Sequence, residues 1–313
     1  MRNRIAIFLA GVAISITAHA QPYPGRPVTI LNPYPAGGQN DVMSRVLAES
    51  LQAKFKQPFV VLSKEGASGV VGMTSLTTSL PDGLTLAFTV MTPLTIQPHL
   101  VPSLKLSPNA VAPVCGLTEN VFAIAVRNES PLQTIEDLVA TAKRGPSLTY
   151  GSGGINSGPS LGAEELARQN KVEFIQVPYR GDKGSMIELL AGRIDFAAII
   201  SASATQFVND GRLRLLAVMS NERDPSFPNV PTMVERNMPV TEVAYAGLFA
   251  PKGTPAYILN VLEQACREAS TSDSIKQVTT GINTKVKFQD RAQFASLLRE
   301  QYQLQSKRLK AAK

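Results

Sequence analysis

The stretch PVTILNPYPAGGQNDVMSRVLAESL, residues 27–51, decides the fold. Residues 27–31 are apolar and β-branched and read as a strand. Pro33-Tyr34-Pro35-Ala36-Gly37-Gly38 is a run of breakers that continues neither strand nor helix. Asn40 then reads as an N-cap, and Asp41 sits in the first turn, where the helix dipole favours an acid. Met43, Val46, Leu47 and Leu51 recur at helical spacing. Strand, glycine-rich loop and helix in that order make the opening of a βαβ unit. If the grammar repeats, the product is a parallel sheet covered by helices.

It does repeat. A strand over 59–62 leads through Glu65-Gly66-Ala67-Ser68-Gly69 to a helix over about 70–79, and Pro81-Asp82-Gly83 turns into a strand over 84–89. Farther on, Thr134 and Asp137 form a capping-box-like start to a helix ending near Lys143. A strand over 148–151 enters the loop 152–158 and a helix carrying Leu161 and Leu166. Strands over 172–177, 194–200 and 213–219, with a helix over 185–191, complete a second set. After a strand over 244–250 and Pro251-Lys252-Gly253-Thr254-Pro255, the chain reads as mainly helical with no further strand. Those helices need a sheet to cover, which sends them back to the first lobe. The expected architecture is α/β with two lobes, one formed by 21–123 and 245–313 and the other by 124–244, with crossings near 121–127 and 244–250. About 290 residues is more than one core holds, and the cleft between lobes is where a ligand sits.

The first 20 residues read as an export signal: Arg2 and Arg4, an apolar core over 5–17, and Ala18-His19-Ala20 as the cleavage site. The mature chain then begins at Gln21 in the periplasm. No later segment is apolar for the roughly 20 residues a span needs, and no Cys follows the cleavage site to carry a lipid. Losing Arg2 and Arg4 from a formal charge of +7 leaves +5. The basic residues are scattered apart from Lys307, Arg308, Lys310 and Lys313, so no nucleic-acid partner is expected. The charge suits an anionic ligand. Cys115 and Cys266 lie in a compartment that permits disulfides. Either they tie two distant segments together, or they are two small buried residues that never meet.

Enzyme chemistry fails on inventory. After cleavage the only histidine is His99, which leaves no second ligand for zinc and no partner for a nucleophile. There is no G-x-S-x-G elbow, no P-loop, no complete G-x-G-x-x-G and no EF-hand. No catalytic residue, cofactor or metal is expected. What the chain does hold is a set of Gly/Ser loops between strands and helix N-termini: Ala36-Gly37-Gly38, Gly66-Ala67-Ser68-Gly69, the loop 152–157, and Tyr179-Arg180-Gly181. Such corners present backbone N–H groups at the positive end of a helix dipole and let an anion approach the main chain.

On these residues the chain resembles the Bug receptors, the extracytoplasmic binding proteins of tripartite tricarboxylate transporters. The marks are Tyr23-Pro24 and Arg26-Pro27, Pro35-Ala36-Gly37-Gly38 with Asp41 and Arg45, and Pro81-Asp82-Gly83-Leu84-Thr85-Leu86. They continue with Tyr150-Gly151-Ser152-Gly153-Gly154, Val177-Pro178-Tyr179-Arg180-Gly181, the segment 190–195, Val230-Pro231-Thr232 and Ala250-Pro251-Lys252-Gly253-Thr254-Pro255. The resemblance implies a periplasmic-binding-protein clamshell (Venus flytrap, type II-like) that closes on a small organic carboxylate and delivers it, as a monomer, to the membrane permease. A ligand-sensing subunit of a membrane signalling kinase is the alternative. Carried onto this sequence, the ligand-binding residues expected from the first lobe are Tyr34, Pro35, Ala36, Gly37, Gly38, Asn40, Ser68, Thr89 and Thr92. From the second lobe they are Ser152, Asn156, Ser157, Tyr179, Arg180 and Asp195. Each has a structural competitor: Asp195 can cap a turn or pair with Arg180, Tyr179 can pack between lobes, and Asp41 with Arg45 makes an intrahelical ion pair. The chain departs from its relatives at Gln39-Asn40-Asp41, where Thr-Asp often follows the double glycine, and at Ser160, where many carry histidine.

Overall fold

A computed structural model of the chain describes residues 23–101, 103–282 and 284–311. The expected export signal over 1–20 lies outside the described residues. The first half runs β1 (Val28–Asn32), α1 (Gln39–Phe55), β2 (Phe59–Ser63), α2 (Val70–Thr77) and β3 (Thr85–Val90), then the short helices α3 (Thr92–Thr95) and α4 (Gln97–Leu100), and β4 (Val111–Arg127). Next come α5 (Ile135–Arg144), β5 (Leu148–Ser152), α6 (Gly158–Asn170), β6 (Phe174–Pro178), α7 (Asp182–Leu190), β7 (Phe196–Ile200), α8 (Thr205–Asn209) and β8 (Leu213–Val218). The chain closes with β9 (Val243–Pro251), α9 (Ala256–Ser270), α10 (Asp273–Gly281), β10 (Lys285–Gln289) and α11 (Arg291–Ala311).

Strand β4 is what joins the two halves. Its 17 residues reach roughly 55 Å at the usual rise, enough to serve two lobes. Up to Val121 it pairs antiparallel with β9, and from Phe122 it pairs with β7 and β8. The change of partner falls between two consecutive residues, so the crossing is a point in one strand. In the first lobe β2, β1 and β3 are parallel neighbours and β9 is antiparallel to β3. In the second, β7, β5 and β6 are parallel. Each set of parallel strands therefore ends its carboxyl termini on one edge of its lobe, where ligands of open α/β sheets bind.

Separate cores hold the lobes. Met43, Val46, Leu47 and Leu51 of α1 are buried against Val28, Ile30, Leu86 and Phe88, and Ile258, Leu262 and Cys266 of α9 complete the same cluster. Burying each such side chain contributes about 2 kcal/mol. Phe294 and Leu298 of α11 pack with Leu31 and Phe249 on the other face. The second lobe is centred on Tyr150, Phe196, Leu166 and Ile124 on one side of its sheet, and on Ile199, Leu189 and Leu215 on the other. The C-terminal helices thus return to the first lobe, but the expectation of no further strand fails. Strand β10 pairs antiparallel with β4 through Val286 and Thr118. Its sequence Lys-Val-Lys-Phe-Gln alternates polar and apolar residues, the period of a half-buried strand, and its lysines disguise it as solvated chain.

Cys115 of β4 and Cys266 of α9 are joined by a disulfide across 151 residues, with Cα atoms 6.6 Å apart. The bridge fastens the returning helix to the first lobe's sheet, and the loop it closes contains the second lobe.

Candidate functional site

At the carboxyl edge of the first lobe the organiser is Asn32, the last residue of β1 and fully buried. Its Nδ2 donates to the Tyr34 carbonyl (2.9 Å), to Asp41 Oδ1 (3.2 Å) and to Ser63 Oγ (3.2 Å). Its Oδ1 accepts from the Tyr34 N–H (3.2 Å) and from Asn40 Nδ2 (2.7 Å). Asn40 also donates to the Phe88 carbonyl at 3.0 Å. One side chain therefore sets the Pro33–Gly38 corner, the end of β2 and the start of α1. Burial pushes the Asp41 carboxyl up, but bonds from Arg45, the Gly37 N–H and Asn32 outweigh it and hold the group below its ordinary value. Asn40 is not the cap expected of it. The helix begins one residue after Gly38, whose extended backbone provides no side-chain cap.

The second loop of this lobe is strained. Ala67 and Ser68 have φ of 46° and 52°, followed by Gly69 at 90°, and left-handed backbone costs a residue with a Cβ roughly 1–2 kcal/mol. Such strain gathers at binding corners. Tyr34 Oη donates to the Ser68 carbonyl at 3.3 Å, which ties the two loops together, and a Cβ on Gly69 would meet Pro93 Cγ at 2.7 Å.

In the second lobe, Ser152 Oγ donates to the Gly154 carbonyl (3.0 Å) and accepts from Gln176 Nε2 (2.8 Å). Ser157 caps α6 by accepting from the Ser160 N–H at 3.4 Å. Asn156 (φ 55°) turns the loop. Tyr179 packs its ring against Gly151 and Gly184, Gly181 begins α7 at φ 81°, and Arg180 is exposed.

Both corners flank the same crossing. Gln39, the first residue of α1, donates from Nε2 to Asn120 Oδ1 at 3.1 Å and to Thr284 Oγ1, and Asn120 adjoins Val121, the last residue of β4 to pair with β9. On the other side Gly158, the first residue of α6, lies so close to Phe122 that a Cβ there would stand 2.3 Å from its ring. Thr92, with Phe122, Gly158, Glu242 and Gln305, lines a cavity of about 20 Å³ at the base of the cleft, room for about one water.

The expected set is not all brought together. Asp195 lies at the opposite end of its strand, where its Oδ2 accepts from the Thr149 N–H (2.7 Å) and hydroxyl (2.8 Å). It pins the start of β7 to β5 and reaches neither Arg180 nor the Ser152 corner. Thr89 and Ser152 are 0% exposed and lie beneath the surface a guest would touch. Tyr34, Asn40, Thr92, Asn156, Ser157 and Tyr179 are partly exposed, and Pro35–Gly38, Ser68 and Arg180 are open to solvent. Asn32, Asn120 and Asp182 were not among the expected residues, and Gln39 entered only as a departure from the relatives' Thr-Asp. The helix expected over 185–191 begins three residues earlier, at Asp182.

Side-chain caps are not uniform among the helix starts: α6, at the cleft, is capped by Ser157, and α9, away from the cleft, starts at Pro255 with no side-chain cap. Away from it, α5 has a full capping box from Thr134 and Asp137, and α10 is capped by Ser272. At the cleft α1, α2 and α7 start from Gly38, Gly69 and Gly181 with no side-chain cap. The first-turn N–H groups of α1 and α7 are donors in search of an acceptor, whereas at the start of α2 the Val70 N–H already meets the Ala67 carbonyl and the Gly69 N–H that of Gly66 at 3.0 Å.

A family model described as "Tripartite tricarboxylate transporter family receptor" matches residues 43–312. The chain belongs to this receptor family. A UPF0065 protein from the gbd 5′ region of Cupriavidus necator is 33% identical to the receptor over 315 residues, covering 96% of this chain and 94% of that protein. The crystal structure of a TctC solute binding protein from Polaromonas has a TM-score of 0.79 at 30% identity, covering 92% of this chain and 99% of the other. MatC from Rhodopseudomonas palustris, solved with bound malate, has a TM-score of 0.82 at 25% identity over 92% of the receptor and all of its own length, 100%. The fold is the two-lobed periplasmic-binding-protein fold, and the family is one of solute-binding receptors. Among the described residues no helix of the receptor is long and apolar enough to cross a membrane.

Burial pushes the Asp182 carboxyl of the receptor up to about 6. A native-state value above the ordinary 3.8 means that the ionised form is disfavoured on folding. The cost begins near pH 4 and is complete above about pH 6. Asp182→Asn keeps an acceptor and removes the charge. Its stability relative to the unmodified receptor therefore rises between about pH 4 and 6 and levels off above, as measured by thermal melts across that range. A difference that stays flat with pH contradicts the buried charge.

Proposed function

We propose that this receptor captures a small organic carboxylate between its lobes in the periplasm, after removal of residues 1–20, and hands it as a monomer to the membrane subunits of a tripartite tricarboxylate transporter. The lobes are taken as 21–123 with 245–313, and 124–244. The observation that carries this reading is the pair of glycine-started, uncapped helices at the cleft, α1 from one lobe and α7 from the other. An anion bridging them supplies the missing acceptors of both half-sites at once, so it binds the closed form better than the open one and shifts the population toward closure. The malate held by MatC supports a carboxylate as the class of guest.

A thermal-shift screen over mono- and dicarboxylates tests it. A ligand at a hundred times its dissociation constant stabilises by about 2.7 kcal/mol, and no shift with any acid contradicts the proposal. One variant separates binding from folding. Gly38 has φ −78° and ψ 168°, a backbone open to any residue, and a Cβ there would meet only the Pro35 carbonyl, at 3.3 Å. Gly38→Asp caps α1 with its own side chain and puts a carboxylate where the guest's belongs. Unliganded stability is expected to hold or rise by a few tenths of a kcal/mol, while affinity for the acid found in the screen falls by roughly tenfold or more. Unchanged affinity removes α1 from the site.

A further inference from the structure

Asp182 is an acidic group at the cleft that an all-amide anion site does not use. Its Oδ2 accepts from the Ile200 N–H at 2.8 Å and from Ser203 Oγ at 3.1 Å. Ile200 pairs with Phe122 at the crossing. Its Oδ1 makes no hydrogen bond among the described residues and faces Gly153, 2.9 Å from where a Cβ on that glycine would stand. The carboxyl ends of β5 and β7 therefore approach one acidic side chain. No Lys or Arg bonds it among the described residues, and the nearby Arg180 and Lys183 are exposed.

An ionised carboxylate only accepts hydrogen bonds. A plain acid lodged against this corner brings a second negative charge to a carboxylate that no Lys or Arg bonds among the described residues, which weakens binding. A guest that carries a donor on the carbon beside its carboxylate resolves the conflict: its carboxylate takes the helix N–H groups and its donor takes Asp182 Oδ1. We infer that Asp182 is the specificity-determining residue of the cleft, selecting organic acids with an ammonium or hydroxyl group next to the carboxylate over their unsubstituted counterparts. The carboxyl's upward displacement by burial agrees with a group that lacks a cationic partner until the guest supplies one. An ammonium, which adds charge, binds more tightly than a hydroxyl.

The inference rests on the carboxylate reading above, and its test tells the two apart. Matched acids from two to six carbons, each as the 2-amino, 2-hydroxy and unsubstituted form (aspartate, malate and succinate at four), are titrated calorimetrically into the full mature chain, Asp182→Asn and Ser203→Ala. At the chain length that binds, the substituted acid is expected to be favoured by roughly tenfold or more, and Asp182→Asn is expected to erase that preference. Ser203→Ala removes a bond to Oδ2 but leaves Oδ1 untouched, and is expected to keep it. Equal binding of the unsubstituted acid overturns the inference while leaving the carboxylate site standing. So does a preference that survives Asp182→Asn or is lost equally in Ser203→Ala. Silence from every acid overturns the carboxylate reading and this inference with it.

Discussion

Replacing Cys115 and Cys266 together by alanine is expected to lower the thermal midpoint on the order of 10 °C. The bridge closes a loop of 151 residues, and a cross-link of that span stabilises by about 3–5 kcal/mol, mainly by restricting the unfolded chain. For a domain of this size each kcal/mol moves the midpoint by roughly 2–4 °C. Both sulfurs are fully buried in the first lobe's core, so alanine adds a small cavity cost, whereas serine would also bury a hydroxyl. The loss should be concentrated in the first lobe, because the bridge fastens α9 to β4 there. Differential scanning calorimetry with and without a reductant reads it. A reduced or alanine-substituted receptor that melts within about 2 °C of the oxidised one contradicts this role.

The other large effect is expected at the second crossing. Glu242, 6% exposed and one residue before β9, accepts from Gln305 Nε2 at 2.9 and 3.2 Å and pairs with Arg308, both on α11. Arg308 also donates to the Thr241 carbonyl at 3.0 Å. Helix α11 thus grips the chain where it leaves the second lobe. Burial pushes the Glu242 carboxyl above its ordinary value, with Arg308 and Gln305 pulling it back only in part. Arg308→Met removes the counter-charge and leaves a buried carboxylate, at a cost of about 3 kcal/mol near neutral pH. Because the native-state value is raised, the penalty applies above the unfolded value of Glu242. It shrinks as pH falls and the group takes up a proton. Adding Glu242→Gln to Arg308→Met should recover most of the loss, since a neutral amide needs no cation. Urea melts of the four-member cycle at two pH values measure the coupling. A double variant as unstable as the single one argues that Arg308 acts by packing alone.

The fold was legible because its parts are local. Strand, breaker loop and periodic helix follow one another along the chain: β1 lies within one residue of the strand read over 27–31, and α1 starts within two residues of the start read after Asn40. The capping box of α5 formed as its sequence reads. Strand β10 was missed because five residues flanked by lysines show only one pleated face, and its partner β4 lies more than a hundred residues away. The site was less legible, because what decides whether a side chain meets a guest is burial and direction, and both come from tertiary structure. Asp195 was placed near the guest by its neighbourhood in sequence, yet it heads its strand, and a strand's two ends are far apart in space. Thr89 lies on the correct edge but points inward. Asn32, Gln39 and Asn120 are polar residues whose importance is their bonds to residues distant in the chain, Asn32 to Ser63 and Gln39 to Asn120, and no spacing in the chain announces that. Asp182 falls in sequence between an expected corner and the helix expected over 185–191. Only the bonding of its carboxyl at the end of β7, beside Gly153, sets it apart.

The most direct measurement is a crystal structure of the mature receptor with an acid that shifts its melting. It should place the guest's carboxylate at about 3 Å from first-turn N–H groups of α1, with its other end on the α7 corner and the lobes drawn together about the Asn120–Phe122 crossing. A bound acid on the outer surface, or one held by a single lobe with the cleft unchanged, contradicts capture between the lobes.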